Sequence, residues 1–97
     1  MFRHIVTFRW VDGTTEEQRR EAEAEIATLP PLMRGLREYR FGHDAGVVDG
    51  NADFAIIADF DDADAYFAYR DHPAHQDVVR RITRPLTKER MTVHLEM

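Results

Sequence analysis

Four stretches of this chain carry the patterning of β-strands, and the way helical segments fall between them leaves few folds open. Arg3 to Trp10 puts His4, Val6, Phe8 and Trp10 on one face and Ile5 and Thr7 on the other, so both faces have apolar side chains to cover. Leu36 to Phe41 sets Tyr39 and Phe41 opposite Glu38 and Arg40. Asp53 to Phe60 is the most apolar, with Phe54, Ile56 and Ala58 opposed to Ala55 and Ile57, and is expected at the centre of a sheet. Met91 to Glu96 places Met91, Val93 and Leu95 opposite Thr92, His94 and Glu96.

The first helical segment follows the Asp12-Gly13 turn. Thr14 with Glu17 and Thr15 with Gln18 form two overlapping capping boxes, and the stripe Ala22, Ile26, Leu29 predicts a helix to about Leu29, ended by Pro30-Pro31. Gly35 is a candidate for positive φ, and Gly42 to Ala52 is rich enough in turn residues to predict a mobile connection. The second segment, Tyr66 to Pro85, is unusual in holding two histidines, two tyrosines and two prolines. Asp61 and Asp64 mark the start of a short helix running to Arg70 or Asp71. Pro73 suits the first position of a second helix, which puts His72 at the N-cap and His75 in the first turn, with Ala74, Val78 and Ile82 as its apolar stripe. Pro85 is expected to stop it. Tyr69 then closes one helix and His75 opens the next, so a phenol and an imidazole converge at the bend.

Strand, helix, strand, strand, broken helix, strand is the α+β, ferredoxin-like βαββαβ arrangement: a four-stranded antiparallel sheet with helices on one side. The 97 residues are expected to form one domain over 1–97. A chain of this size buries roughly 60–70% of its unfolded surface, so an uncovered sheet face is a reason to dimerise.

Composition removes several classes of function. A net charge of −5 argues against a nucleic-acid or anionic-membrane binder, and the run Arg80, Arg81, Arg84, Lys88, Arg90 fits a solvated helix face and its exit. With no Cys and no Ser, thiolate sites and Ser or Cys nucleophiles are excluded, and the single lysine, Lys88, lies in a charged stretch unsuited to Schiff-base chemistry. No apolar run approaches ~18 residues and the start of the chain leads into a strand pattern, so a cytoplasmic location is the expectation.

His4, Gly42, DFAIIADF and above all AYRDHPAHQDVV resemble the stress-responsive dimeric α/β-barrel (Dabb) family over essentially the whole chain. The resemblance implies a homodimer in which two sheets close a barrel with the helices outside. It further implies a cavity between sheet and helices, which in polyketide-cyclising members closes a linear poly-β-ketone by aldol condensation without a cofactor. Carried onto this chain, that chemistry falls on His75 and Tyr69 as catalytic residues, with His4 and His72 beside them. Phe54 stands where such a cyclase has a further strand histidine, and smaller residues around Ala22 and Ile26 replace aromatics.

The residues make such chemistry reasonable. An imidazole with an ordinary pKa near ~6.5 accepts a proton from an activated methylene at neutral pH, and a phenol donates to the enolate or alkoxide oxygen. A small-molecule ligand is expected against His4, Val6, Phe8, Phe54, Ile56 and His72, with no metal or other cofactor signalled. His72 and His75 as a metal pair would need further ligands, for which only Asp71, Asp77 or the distant His4 are available. The competing readings are a bend that is purely structural in a non-catalytic, stress-associated dimer, and a cofactor-free monooxygenase on the same superfold. For His43 and His94 the spacing names no partner.

Overall fold

A computed structural model describing all residues, Met1–Met97, joins the four strands into one antiparallel sheet in the order β2-β3-β1-β4. The strands are β1 (Phe2–Trp10), β2 (Leu36–His43), β3 (Phe54–Phe60) and β4 (Thr87–Glu96). The helices are α1 (Glu16–Ile26), α2 (Ala63–Asp71) and α3 (Pro73–Val78). The fold is the expected ferredoxin-like one, with β1 and β3 central.

α1 begins at Thr15, whose hydroxyl accepts the Gln18 N–H while the Gln18 side chain accepts the Thr15 N–H. Thr14 makes no second box, because its hydroxyl donates to the Val11 carbonyl. The helix ends at Ile26, earlier than its apolar stripe implies. Leu29 is still buried by the turn that follows, and Pro30–Leu32 form a short 3-10 turn. Gly35 then takes φ 74°, and a Cβ there would lie 2.7 Å from Ala65 Cβ, so only glycine lets this corner approach α2.

Asp62, not Asp61, caps α2 by accepting the Ala65 N–H, while Asp61 pairs with Arg37. His72 caps α3, with Pro73 in the first position. Pro85 does not stop the second segment. Val79–Thr83 widen into a π turn in which the Arg84 N–H reaches the Val79 carbonyl, and a last turn, Arg84–Leu86, contains Pro85. A π turn changes which carbonyls need amide partners, which accommodates a residue that has none to donate. β4 starts at Thr87, four positions before Met91. Lys88, Glu89 and Arg90 give no apolar alternation because β4 is an exposed edge strand.

The Gly42–Ala52 connection is tied down at its base: the Asp44 N–H reaches the Asp53 carbonyl, and the Arg9 guanidinium donates to the Gly50 and Asn51 carbonyls.

The two sheet faces differ. On one, Val6, Phe8, Phe54, Ile56, Ala58 and Phe60 bury themselves under Ala22, Ile26, Leu29, Tyr66, Tyr69, Val78 and Ile82. On the other, Ile5 lies between Ile57 and Val93, and Thr7 between Ala55 and Met91. Met91, Val93 and Leu95 remain 74%, 52% and 41% exposed there, with the Arg3–Asp59 ion pair (2.7 Å) beside them. No helix is long and apolar enough to cross a membrane.

Candidate functional site

One row of the sheet organises the site. Tyr39 and His4 each pair with Ala58, and His4 pairs in turn with His94, so the four side chains run Tyr39, Ala58, His4, His94 on the helix-covered face. Ala58 presents only a methyl. Tyr69, descending from α2, lies over it, with its ring centroid 6.1 Å from Tyr39, 6.2 Å from His4 and 5.3 Å from Phe60. The Tyr69 and Tyr39 hydroxyls are 3.0 Å apart, and Tyr39 donating leaves the Tyr69 proton available. Burial raises both phenols above their usual range, Tyr69 to about 12, so both stay protonated at neutral pH.

The bend positions His75 through a hydrogen-bond exchange. In a continuous helix the Arg70 carbonyl would accept the Ala74 N–H. That N–H instead donates to His72 Nδ1, at 3.0 Å, as the cap of α3, and Pro73 has no N–H to give the preceding carbonyl. The Arg70 carbonyl is therefore free, and it accepts both the Gln76 side-chain amide and His75 Nδ1, the latter at 3.0 Å. A carbonyl can only accept, so His75 carries its proton on Nδ1 and keeps the Nε2 lone pair. The His75 and Tyr69 ring centroids are 4.3 Å apart.

Burial is the main cause that lowers the His75 pKa, opposed by the bond to the Arg70 carbonyl. His4 is lowered further, to about 4, by burial first and then by the neighbouring His94, whose Nε2 is 3.0 Å from His4 Nδ1. Both rings are neutral at pH 7 and able to accept a proton.

Between these groups lies a cavity of about 340 Å3. Its floor is His4, Val6, Phe8, Tyr39 and Ile56 from the sheet, and Ile26, Leu29, Tyr69, His75 and Val78 close it from the helices. Val79 and Thr83 of the π turn also face it, and the exposed Arg70, Arg84 and Arg90 mark where it meets solvent. No three His, Asp or Glu side chains gather in a way that would hold a metal.

Tyr69, His75, His4, Val6, Phe8 and Ile56 thus share one cavity, whereas Phe54 and His72 lie outside its wall. Phe54 is 2% exposed and is enclosed by the rings of Phe8, Trp10, Phe41 and His43, which fill the space around it with core. His72 sits between α2 and α3 as the cap, with its Nδ1 occupied by the Ala74 N–H. Tyr39, Arg84 and Arg90 are additions to the wall, and His94 stands beside it against His4; the cross-strand register, which no single strand reveals, brings in Tyr39, His94 and Arg90. His43 belongs to a separate cluster: it accepts the Trp10 indole N–H at 3.0 Å and donates through Nδ1 to Glu23 at 2.9 Å, tying α1 to the sheet.

Residues 2–97 match the family described as the stress responsive A/B barrel domain. An uncharacterised Streptomyces coelicolor protein is 35% identical over 79 residues, covering 78% of this chain and 80% of the relative. Among solved structures, a dimeric ferredoxin-like protein of unknown function from Thermobifida fusca is 38% identical with a TM-score of 0.92, covering 99% of this chain and 90% of that one. Hydroxynitrile lyase from Passiflora edulis superimposes with a TM-score of 0.82 at 18% identity, covering 99% of this chain and 92% of the lyase, a likeness of fold.

Proposed function

The chain belongs to the stress responsive A/B barrel domain (Dabb) family, and from that premise we propose that it is a homodimeric small-molecule-binding domain performing cofactor-independent proton transfer on an enolisable, polyketide-like compound, in the sense of a cyclase or isomerase. His75 is the base: its Nε2 takes a proton from an activated methylene. Tyr69 donates its hydroxyl proton in a hydrogen bond to the oxygen on which charge develops, and Tyr39 holds the Tyr69 oxygen in place. His4, Val6, Phe8 and Ile56 form the wall against which the substrate lies.

The observation that carries this reading is the bond from His75 Nδ1 to the Arg70 carbonyl, which leaves the other nitrogen unprotonated beside Tyr69. A bend that served structure alone would need the His72 cap and Pro73, and would not need a second imidazole with a free lone pair. Solvent-deuterium incorporation into a panel of β-keto esters and aryl ketones tests it. His75→Ala should lower the enzyme-dependent exchange by on the order of 10²-fold or more, and Tyr69→Phe by about the same, with the fold intact. Full activity in both variants would remove the proposal.

The dimer is supported by the uncovered stripe of Ile5, Ile57, Val93 and Met91, and by the dimeric state of the Thermobifida fusca relative. A second copy laid on this stripe would cover it and close the barrel. Light scattering after size exclusion should give twice the chain mass at micromolar concentration, and a monomer there rejects it.

A further inference from the structure

The distribution of paired and unpaired cations deepens the cavity reading, on which this inference rests. The chain holds 18 acidic and 13 basic residues, so carboxylates are in excess and an arginine without one is the exception. Arg3, Arg9, Arg20, Arg37, Arg40 and Arg70 each have a carboxylate partner. So do Arg80, Arg81 and Lys88, while Arg19 donates to the Thr14 carbonyl. Arg34, Arg84 and Arg90 alone have neither an ion pair nor a side-chain hydrogen bond, and two of these three stand at the cavity.

Their positions come from the irregular features of the second half. Arg84 follows the π turn, which its own N–H closes onto the Val79 carbonyl. Arg90 pairs across the sheet with Phe8, which puts it on the cavity face of β4. The carboxylates that flank Arg84 in the sequence are engaged elsewhere: Glu89, pointing to the opposite face, reaches Arg9, and Asp77 is shared by Arg80 and Arg81. Both arginines are exposed and without an ion-pair partner, whereas much of the wall behind them is apolar, formed by Val6, Phe8, Ile26, Leu29, Ile56 and Val78. Arg90 also acts on the interior, since its charge contributes to holding His4 and His75 in their neutral forms.

We propose that the cavity takes an organic acid end-on, with its carboxylate held at the rim by Arg84 and Arg90 and its apolar, enolisable body inside against His75 and Tyr69. The planar fork of an arginine matches a carboxylate through two parallel N–H donors, and two such groups at one mouth orient an amphiphile with its charged end outward. The site thereby discriminates between an acid and its neutral isostere, and the substrate class narrows to keto acids or their relatives.

The probes are 3-phenylpropanoate and 3-phenylpropanamide, which differ in charge and little in shape. Titration at low salt, with the His75 and His4 ring signals followed by NMR, should show the acid binding about tenfold tighter than the amide, both shifting those rings. Raising the salt should narrow the gap, because the cations are exposed. The double substitution Arg84→Gln, Arg90→Gln should remove the preference and leave the amide affinity unchanged, which also shows that the fold has survived. Equal binding of acid and amide by the wild-type protein would overturn the anion site and leave the cavity standing. A preference that persists in the double variant would overturn the assignment to these two arginines. If neither probe shifts either ring, the cavity reading fails and the anion site with it.

Discussion

α1 and the α2–α3 segment occupy equivalent places in the two halves of a βαββαβ fold, yet one runs unbroken from a complete capping box and the other is interrupted twice. α1 contributes apolar side chains, Ala22 and Ile26, to the core. The second segment breaks at His72-Pro73 and again at the π turn, and the first break frees the Arg70 carbonyl that fixes the His75 tautomer. The difference teaches where side chains gain backbone partners in this fold. A regular helix consumes its own backbone donors and acceptors, whereas an interrupted one releases a few to orient side chains. The first half accordingly supplies the cavity with floor and apolar wall, and the second supplies the side chains whose hydrogen bonding the interruptions set.

The largest effect expected from this contrast is in α1. Ile26 is 1% exposed, and Ile26→Ala should lower the unfolding free energy by about 3–4 kcal/mol in urea titrations. A loss under ~1 kcal/mol would contradict a core role for α1. His75→Ala removes a partly solvated ring and should cost much less stability, and on the proposed function it would lower the exchange all the same.

Next in size is a pH effect from the sheet beneath the bend. Folding lowers the His4 pKa from an ordinary 6.5 to about 4. Between those values the unfolded chain binds the proton and the folded one does not, so the stabilising contribution of the neutral ring is complete above pH 6.5 and is lost as the pH falls to 4. The loss is on the order of 3 kcal/mol. Comparing denaturation of the wild-type protein and His4→Phe at pH 7 and pH 4 isolates it, since the variant lacks this titration. A difference between the two proteins that does not change with pH would contradict the burial of a neutral His4.

The smallest effect is at the break itself. His72→Ala removes the cap on the Ala74 N–H and should cost about 1 kcal/mol, read as a fall in Tm of about 4–8 °C. It also lets the Ala74 N–H compete for the Arg70 carbonyl, so the His75 ring should become more mobile in NMR relaxation. An unchanged Tm would show that Pro73 alone sets the bend.

Much of this was legible in the sequence because the relevant rules are local. Period-two patterning placed β1 and β3 almost to the residue, Thr15 with Gln18 started α1, and His72-Pro73 marked the break. What was not legible depends on distant neighbours. β4 begins at Thr87 because an edge strand can be charged on both faces. Pro85 is tolerated because a π turn precedes it. Phe54 alternates in phase with Val6 and Ile56, so its face is right, but four aromatic neighbours from two adjoining strands enclose it. Tyr39 and His94 join the site only through register with Ala58 and His4. Placing His75 near Tyr69 required only the bend, whereas its tautomer required knowing where the Ala74 N–H goes.

The central claim, that the break hands the cavity a neutral imidazole with a free Nε2, is tested most directly by long-range 1H–15N NMR of His75 across a pH titration. The account predicts a ring protonated on Nδ1 alone at pH 7, with a pKa below the ordinary 6.5 because it is partly buried. A ring carrying its proton on Nε2, or a charged ring at pH 7, would contradict it.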